Sequence, residues 1–324
     1  MSSVMTLPGN DHHGSSLRSL ISVGRRSSLN LLFISFCIAM ILASPAWPQT
    51  GQTNTSGHRD LTGETVDDAP IRLNLFGEGQ LTVINGFVSA REFDIEGDRF
   101  HFGDLNVHVA QKASVGVQFN KSGKTSFEGL ATYVYLRGST TTTSDKVFNQ
   151  TTLQGGTGLD SEPDWLELRF TYLHRLSDVN RGKGSVWLVL GVDYHYINWN
   201  FGATVAPGSI GDEPSEDFFV QTFPLPVLGL RYLTRLSPTW SLDLRVDGFR
   251  ANHWRHWNDE GGPIHTSSTI MDALGTLRWQ VRRNFFGEFG YRFNYYTLDE
   301  TGPEDGNHLQ VKAHGPIGRL GYSF

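Results

Sequence analysis

From Trp165 the chain reads WLELRFTYLHRLS, with Leu166, Leu168, Phe170 and Tyr172 at every second position and Glu167, Arg169 and Thr171 between them. A period of two places the two sets on opposite faces of a β-strand. The pattern recurs in SVWLVLGVDYHYINW from Ser185, in WSLDLRVDGF from Trp240 and in FFGEFGYRFNYYT from Phe285. Ten such segments begin near Ile71, Ala113, Ser126, Trp165, Ser185, Val227, Trp240, Ser268, Phe285 and His308. Their connections alternate. NKSGKT, HRLSDVNRGKGS, LSPT and RRN are short, whereas the pieces around Arg91 to Lys112, Gly138 to Pro163, Asn200 to Pro226, Ala251 to Ser267 and Asp299 to Asn307 are long. An even strand count, with short turns at one end and long connections at the other, predicts an all-β chain: a transmembrane antiparallel β-barrel of about ten strands, with eight or twelve as alternatives.

Composition sharpens this picture at the N-terminus. Leu29 to Ala43 is an apolar run preceded by Arg18, Arg25 and Arg26 and followed by ASPA. A run of about 15 residues is shorter than a spanning helix needs and has the layout of a signal peptide. The paired arginines alone do not complete a twin-arginine motif, so the general secretory route is expected, with cleavage after Ala46. The expected organisation is a signal peptide at 1–46, a disordered periplasmic lead-in at 47–70 and an outer-membrane β-barrel at 71–324. Cys37, the only cysteine, lies inside the signal, so the mature chain offers no disulfide and no thiolate metal site. Glycine at 36 of 324 residues, with 12% aromatic and 19% charged, fits all-β architecture, and no later segment is a long apolar run.

On the outward parity, aromatic residues should gather at the two membrane interfaces. Phe119, Tyr172, Tyr232, Trp279, Tyr322 and Phe324 fall near the ends of downward strands, Phe127 and Trp240 near the starts of upward strands, and Tyr133, Tyr135, Tyr194, Tyr196 and Tyr295 near their outer ends. Phe293 and Tyr291 fall nearer the middle. The chain stops with GPIGRLGYSF, in which Leu320, Tyr322 and Phe324 alternate to the last residue. This stretch resembles the C-terminal strand of small bacterial outer-membrane β-barrel proteins, the class that the signal and strand layout also suit; no specific family is identified. The resemblance implies an assembly signal at Leu320, Tyr322 and Phe324, read by the barrel assembly machinery. It also implies residence in the bacterial cell outer membrane, among its lipid and lipopolysaccharide.

The inward parity carries acids at Glu167, Asp193, Asp243, Asp247 and Glu288 and bases at Arg169, Arg231, Arg235, Arg245 and Arg292. Balanced charges in a bore that side chains nearly fill suit a paired network better than a single-sign selectivity ring. Trp187, Ile197 and Trp199 narrow the bore further. The expectation is therefore a non-enzymatic barrel, a structural or surface protein or a narrow channel, with porin-like uptake of small solutes as an alternative. A second alternative is an outer-membrane hydrolase, protease or lipid-modifying, in which Asp193 orients His195 as a base near the outer end of its strand. Proteases of the omptin type also combine ten strands with acids and a His, but the second pair of rim aspartates is not evident here. HTSST at His265 supplies a Ser near a His without the surrounding motif.

No cofactor or metal is expected. NHWRHWNDE holds His253, His256, Asp259 and Glu260, but at spacings that match no defined metal site. The long connections FDIEGDRFHFGD, GDEPSED and LDETGPEDGN are acidic, and Lys121, Lys124, Arg181, Lys183, Arg282 and Arg283 lie in the short turns. Acidic outer segments would approach anionic lipopolysaccharide through divalent cations, or simply be solvated. Nothing in the charge pattern points to nucleic acid.

Overall fold

A computed structural model describes residues 72–92, 95–148, 151–204, 217–255, 265–302 and 305–324. The expected signal at 1–46 and lead-in at 47–70 lie outside the described residues, as do His256, Asp259, Glu260 and most of GDEPSED. The wall is built from β1 (Arg72–Glu92), β2 (Val109–Ser122), β3 (Thr125–Tyr135), β4 (Gly158–Val179), β5 (Gly184–Thr204), β6 (Asp217–Arg235), β7 (Trp240–Arg255), β8 (His265–Gln280), β9 (Phe285–Thr301) and β10 (Asp305–Ser323). Each pairs antiparallel with its neighbours in sequence. β10 returns to β1 in a register running from Asn74↔Ser323 to Glu92↔Asp305, which closes the ring. Closure pairs the first strand with the last, so neither is left as an open edge of the kind that is costly in lipid.

All ten expected segments are strands, but several run further at the long-connection end. β4 begins at Gly158 rather than Trp165, and β6 at Asp217 rather than Val227. Lipid no longer sets the outward positions there: Asp160 and Glu162 face out of β4 above its apolar stretch, so the alternation fades while the ladder continues. The expected long connection Asp299 to Asn307 is therefore mostly strand.

β2 and β3 are the short members of the wall, with 14 and 11 residues against 21 in β1 and 22 in β4. Above them the wall is continued from both sides, by Gly138–Thr141 paired with β4 and by the chain between β1 and β2 paired with β1. Phe100 and His101 pair with Val88 and Phe87, and the Phe102 N–H donates to Gly86 O at 3.0 Å. Gly86 has φ +145, and a Cβ there would lie 1.8 Å from Gln310 O, so only glycine allows this close approach. The segment then turns its side chains into the bore. Phe102, Leu105 and Val107 are at most 1% exposed, and the Phe102 ring stacks on Trp199 at 5.1 Å.

The outward surface is an apolar band. Leu81, Val83, Val117, Leu168, Phe170, Leu190, Leu228, Leu230, Val246, Phe289 and Leu320 are all exposed. At its short-turn edge rings meet across strands, Phe127 with Tyr172 at 5.4 Å and Trp240 with Trp279 at 5.9 Å, and along the end of β10, Tyr322 with Phe324 at 4.9 Å. An exposed apolar belt bordered by aromatic rings is what a membrane-embedded strand wall requires.

Candidate functional site

The bore is where charge collects. Lumenal positions from all ten strands carry at least one ionised side chain engaged in an ion pair: Glu78 of β1, Lys112 of β2, Glu128 of β3, Arg169 of β4, Asp193 of β5, Arg231 of β6, Arg245 of β7, Asp272 of β8, Arg292 of β9 and Arg319 of β10. Most join one continuous chain. Arg278 faces Glu288 (3.7 Å), which faces Arg319 (3.2 Å), which binds Glu78 (2.6 Å). Glu78 continues to Arg292 (3.2 Å) and Arg292 to Asp272 (2.7 Å). Arg169 then meets Asp272 (3.6 Å), Asp193 (3.8 Å) and Asp247, and Asp247 passes to Arg245 (2.6 Å) and on to Glu128 (2.9 Å). Arg231 and Asp243 form a separate pair at 2.5 Å. Opposite charges so paired recover part of the large cost of removing them from water, which a lone buried charge could not.

Nine of the ten residues expected in the lumen enter these pairs. Arg235 does not: it lies at the end of β6, where its guanidinium donates to Ser237 O and Pro238 O of the following turn. The turn carbonyls lie within its reach. Sequence reading missed Glu78, Lys112, Glu128, Asp272, Arg278 and Arg319. The usable signal was parity extended through weakly apolar strands, since Glu78 follows the inward Phe76 by two positions and Arg319 precedes the inward Gly321 by two.

Two arginines are also stacked on aromatic rings. Phe76 lies over Gly116 and under Arg319, whose guanidinium carbon is 4.1 Å from the ring centroid. Phe286 lies over Gly321 and under Arg278 at 3.7 Å. A Cβ at Gly116 or Gly321 would come within 2.1 and 2.2 Å of those rings, so the glycines make the space in which the rings lie flat.

His195 sits where this polar layer meets the apolar one. It is not near the outer end of its strand as expected, because β5 continues nine residues beyond it to Thr204 and places Ile197 and Trp199, both 0% exposed, above it. Trp165 Nε1–H points at His195 Nδ1 (3.4 Å), Asp193 Oδ1 lies 3.5 Å from Nε2, and Tyr296 stacks on the ring at 4.7 Å. Glu167 lies 4.0 Å from Nδ1 and is bound by Lys112 at 2.9 Å. A neutral ring that accepts from Trp165 holds its proton on Nε2, facing Asp193. The nitrogen lone pair that a general base would use is then already engaged. Beside the ring is a cavity of about 30 Å³, lined by Lys112, Glu167, Asp193, His195, Asp272 and Tyr296 among others. That is room for one or two waters and for no peptide or lipid.

Above His195 the lumen is apolar: Ile84, Val88, Phe102, Val134, Trp165, Trp199, Leu225, Ile270, Leu298 and Leu309 form one buried cluster. The bore is thus filled twice, by ion pairs and then by apolar side chains. No group of three or more potential metal ligands occurs among the described residues. Leu320 and Phe324 are exposed on the outer face, and the Phe324 N–H donates to Leu73 O at 2.8 Å, so the last residue belongs to the β10–β1 junction.

No protein-family model matches the chain, and no curated protein matches it. Among solved structures the chain is similar to the outer membrane protease OmpT from Escherichia coli, at 11% identity and TM-score 0.42, over 78% of this chain and 97% of that one. It is similar to the outer membrane protein OprG from Pseudomonas aeruginosa at 10% identity and TM-score 0.32, over 84% and 99%. It is also similar to Ail, the attachment invasion locus protein of Yersinia pestis, at 10% identity and TM-score 0.22, over 76% and 99%. The solved structures that this chain resembles are bacterial outer-membrane β-barrel proteins.

Proposed function

We propose that this chain resides in the bacterial outer membrane as an axially sealed, non-enzymatic barrel, a structural or surface protein rather than a pore. The observation that carries the reading is the doubly filled lumen, with ion pairs drawing on all ten strands beneath an apolar layer that includes the inserted Phe102. Its lipid-facing partners are outer-membrane lipid and lipopolysaccharide, to which the exposed apolar belt is suited. A hydrolase reading is disfavoured by His195 itself, which is 5% exposed, accepts from Trp165 at Nδ1 and lies beneath the filled apolar layer.

The test is solute entry. Proteoliposomes containing the refolded barrel should hold a gradient of a small sugar as well as protein-free vesicles do. Sugar entry at porin-like rates would remove the sealed-barrel reading and favour uptake.

A further inference from the structure

The two ends of the barrel carry opposite charge. The long connections hold the acidic stretches FDIEGDRFHFGD, GDEPSED and LDETGPEDGN, whereas the four short hairpin ends, residues 121–124, 175–183, 235–239 and 281–284, hold eight basic residues and a single acid, Asp178. Asp67 and Asp68, which precede β1, do not reverse that balance. Two of the eight are engaged locally: Arg175 pairs with Asp178, and the Arg235 guanidinium donates to Ser237 O and Pro238 O. Lys121, Lys124, Lys183, Arg282 and Arg283 are exposed. Like charges crowded on one rim repel one another, and an anionic surface set against them relieves the repulsion.

Apolar side chains decide which anionic surface fits. Leu176, Leu236 and Val281 stand exposed in the same hairpin ends, each next in sequence to an arginine, at Arg175, Arg235 and Arg282. The aromatic edge of the lipid-facing belt adjoins them, with Phe127 against Tyr172 and Trp240 against Trp279. A soluble anion would match the charges and leave these apolar side chains in water. A bilayer surface takes both, because its headgroups meet the cations while its acyl boundary receives the apolar groups. The hairpin end at 281–284 shows the arrangement best. Gln280 Nε2 donates to Arg282 O (2.7 Å) and Arg283 O (3.2 Å), which fixes the turn that carries the two exposed arginines. Exposed Val281 and Trp279 precede them on the same strand end. Paired guanidiniums suit a phosphate, which they can bind through several N–H groups at once.

We propose that this basic rim binds anionic phospholipid of the phosphatidylglycerol class, with Arg282 and Arg283 meeting a headgroup phosphate and Val281 lying at the acyl boundary. The proposal rests on the membrane placement and goes beyond it, since axial sealing sets no lipid preference. Short turns face the periplasm in barrels of this class, so the leaflet concerned is the inner one.

The test uses the full chain with Cys37→Ser, so that a fluorophore sits on one new cysteine, embedded in liposomes. These contain phosphatidylglycerol or phosphatidylcholine carrying a nitroxide high on the acyl chain, at equal mole fraction. At Val281→Cys, quenching should report an association about fivefold stronger for phosphatidylglycerol, the effect of one basic residue at an anionic surface. Lys121→Gln, Lys124→Gln, Lys183→Gln, Arg282→Gln and Arg283→Gln together should bring the two lipids level, as should salt at about 1 M. A label at Tyr133→Cys, at the opposite edge of the belt, should show no preference for phosphatidylglycerol. Equal quenching at Val281→Cys with the rim intact, a preference that survives the five substitutions, or the same preference at Tyr133→Cys overturns the proposal and leaves the membrane placement standing. Quenching by neither lipid, at Val281→Cys and at lipid-facing Leu230→Cys alike, shows a chain that has not embedded and overturns both.

Discussion

Arg169 is the residue at which the charged lumen can be tested most sharply, because it faces three carboxylates at once. Its side chain is 6% exposed, and its partners Asp247, Asp272 and Asp193 are 0%, 2% and 8% exposed. Arg169→Met keeps much of the volume and removes the charge. Breaking a buried pair from one side costs roughly 3–5 kcal/mol. Here the lower end applies, since Arg245 still holds Asp247 at 2.6 Å, Arg292 still holds Asp272 at 2.7 Å, and His195 stays near Asp193. The expected loss is about 3 kcal/mol, or roughly a hundredfold in the unfolding equilibrium. Adding Asp193→Asn should recover more than half of it, because Asp193 is the one carboxylate of the three that Arg169→Met leaves without an arginine. Urea unfolding in detergent micelles, followed by tryptophan fluorescence, measures both steps. A loss below about 1 kcal/mol for Arg169→Met would show that water already compensates these carboxylates and that the bore is not sealed.

Three further outcomes follow from the geometry. Gly116→Ala should destabilise by about 1–3 kcal/mol, measured in the same unfolding assay, because its Cβ would lie 2.1 Å from the Phe76 ring and displace it from Arg319. Deleting Phe324, which is 58% exposed, should change the stability of refolded barrel by less than about 1 kcal/mol yet sharply lower the amount assembled in cells, read by immunoblot of outer-membrane fractions. His195→Ala should leave the products of peptide and lipid A cleavage assays unchanged; a loss of product would restore the hydrolase alternative.

The ten strands were legible because lipid and lumen impose opposite demands on alternate residues, as at Leu168 against Arg169 and Val246 against Arg245. The same rule exposed nine of the fifteen charged residues described as pairing in the lumen. It failed where glycine dilutes the pattern, as around Glu78 in FGEGQ and Arg319 in GRLGY, because a glycine on either face carries no polarity. The upper strand ends were hidden for a different reason: water lies outside the wall there, so the outward positions of β4 need not be apolar. The depth of His195 was misjudged for that reason, since the continuation of β5 above it was not read. The insertion of Phe102 onto Trp199 is a long-range contact between segments about a hundred residues apart, which no local pattern encodes.

The central claim is that side chains seal this barrel along its axis, and conductance across a planar bilayer tests it most directly. The unmodified protein should show no steady conductance. Arg245→Ala, which cuts the link between Asp247 and Glu128, should show none either, because the apolar layer above remains filled. A large, stable conductance from the unmodified protein would contradict the account and show an open pore.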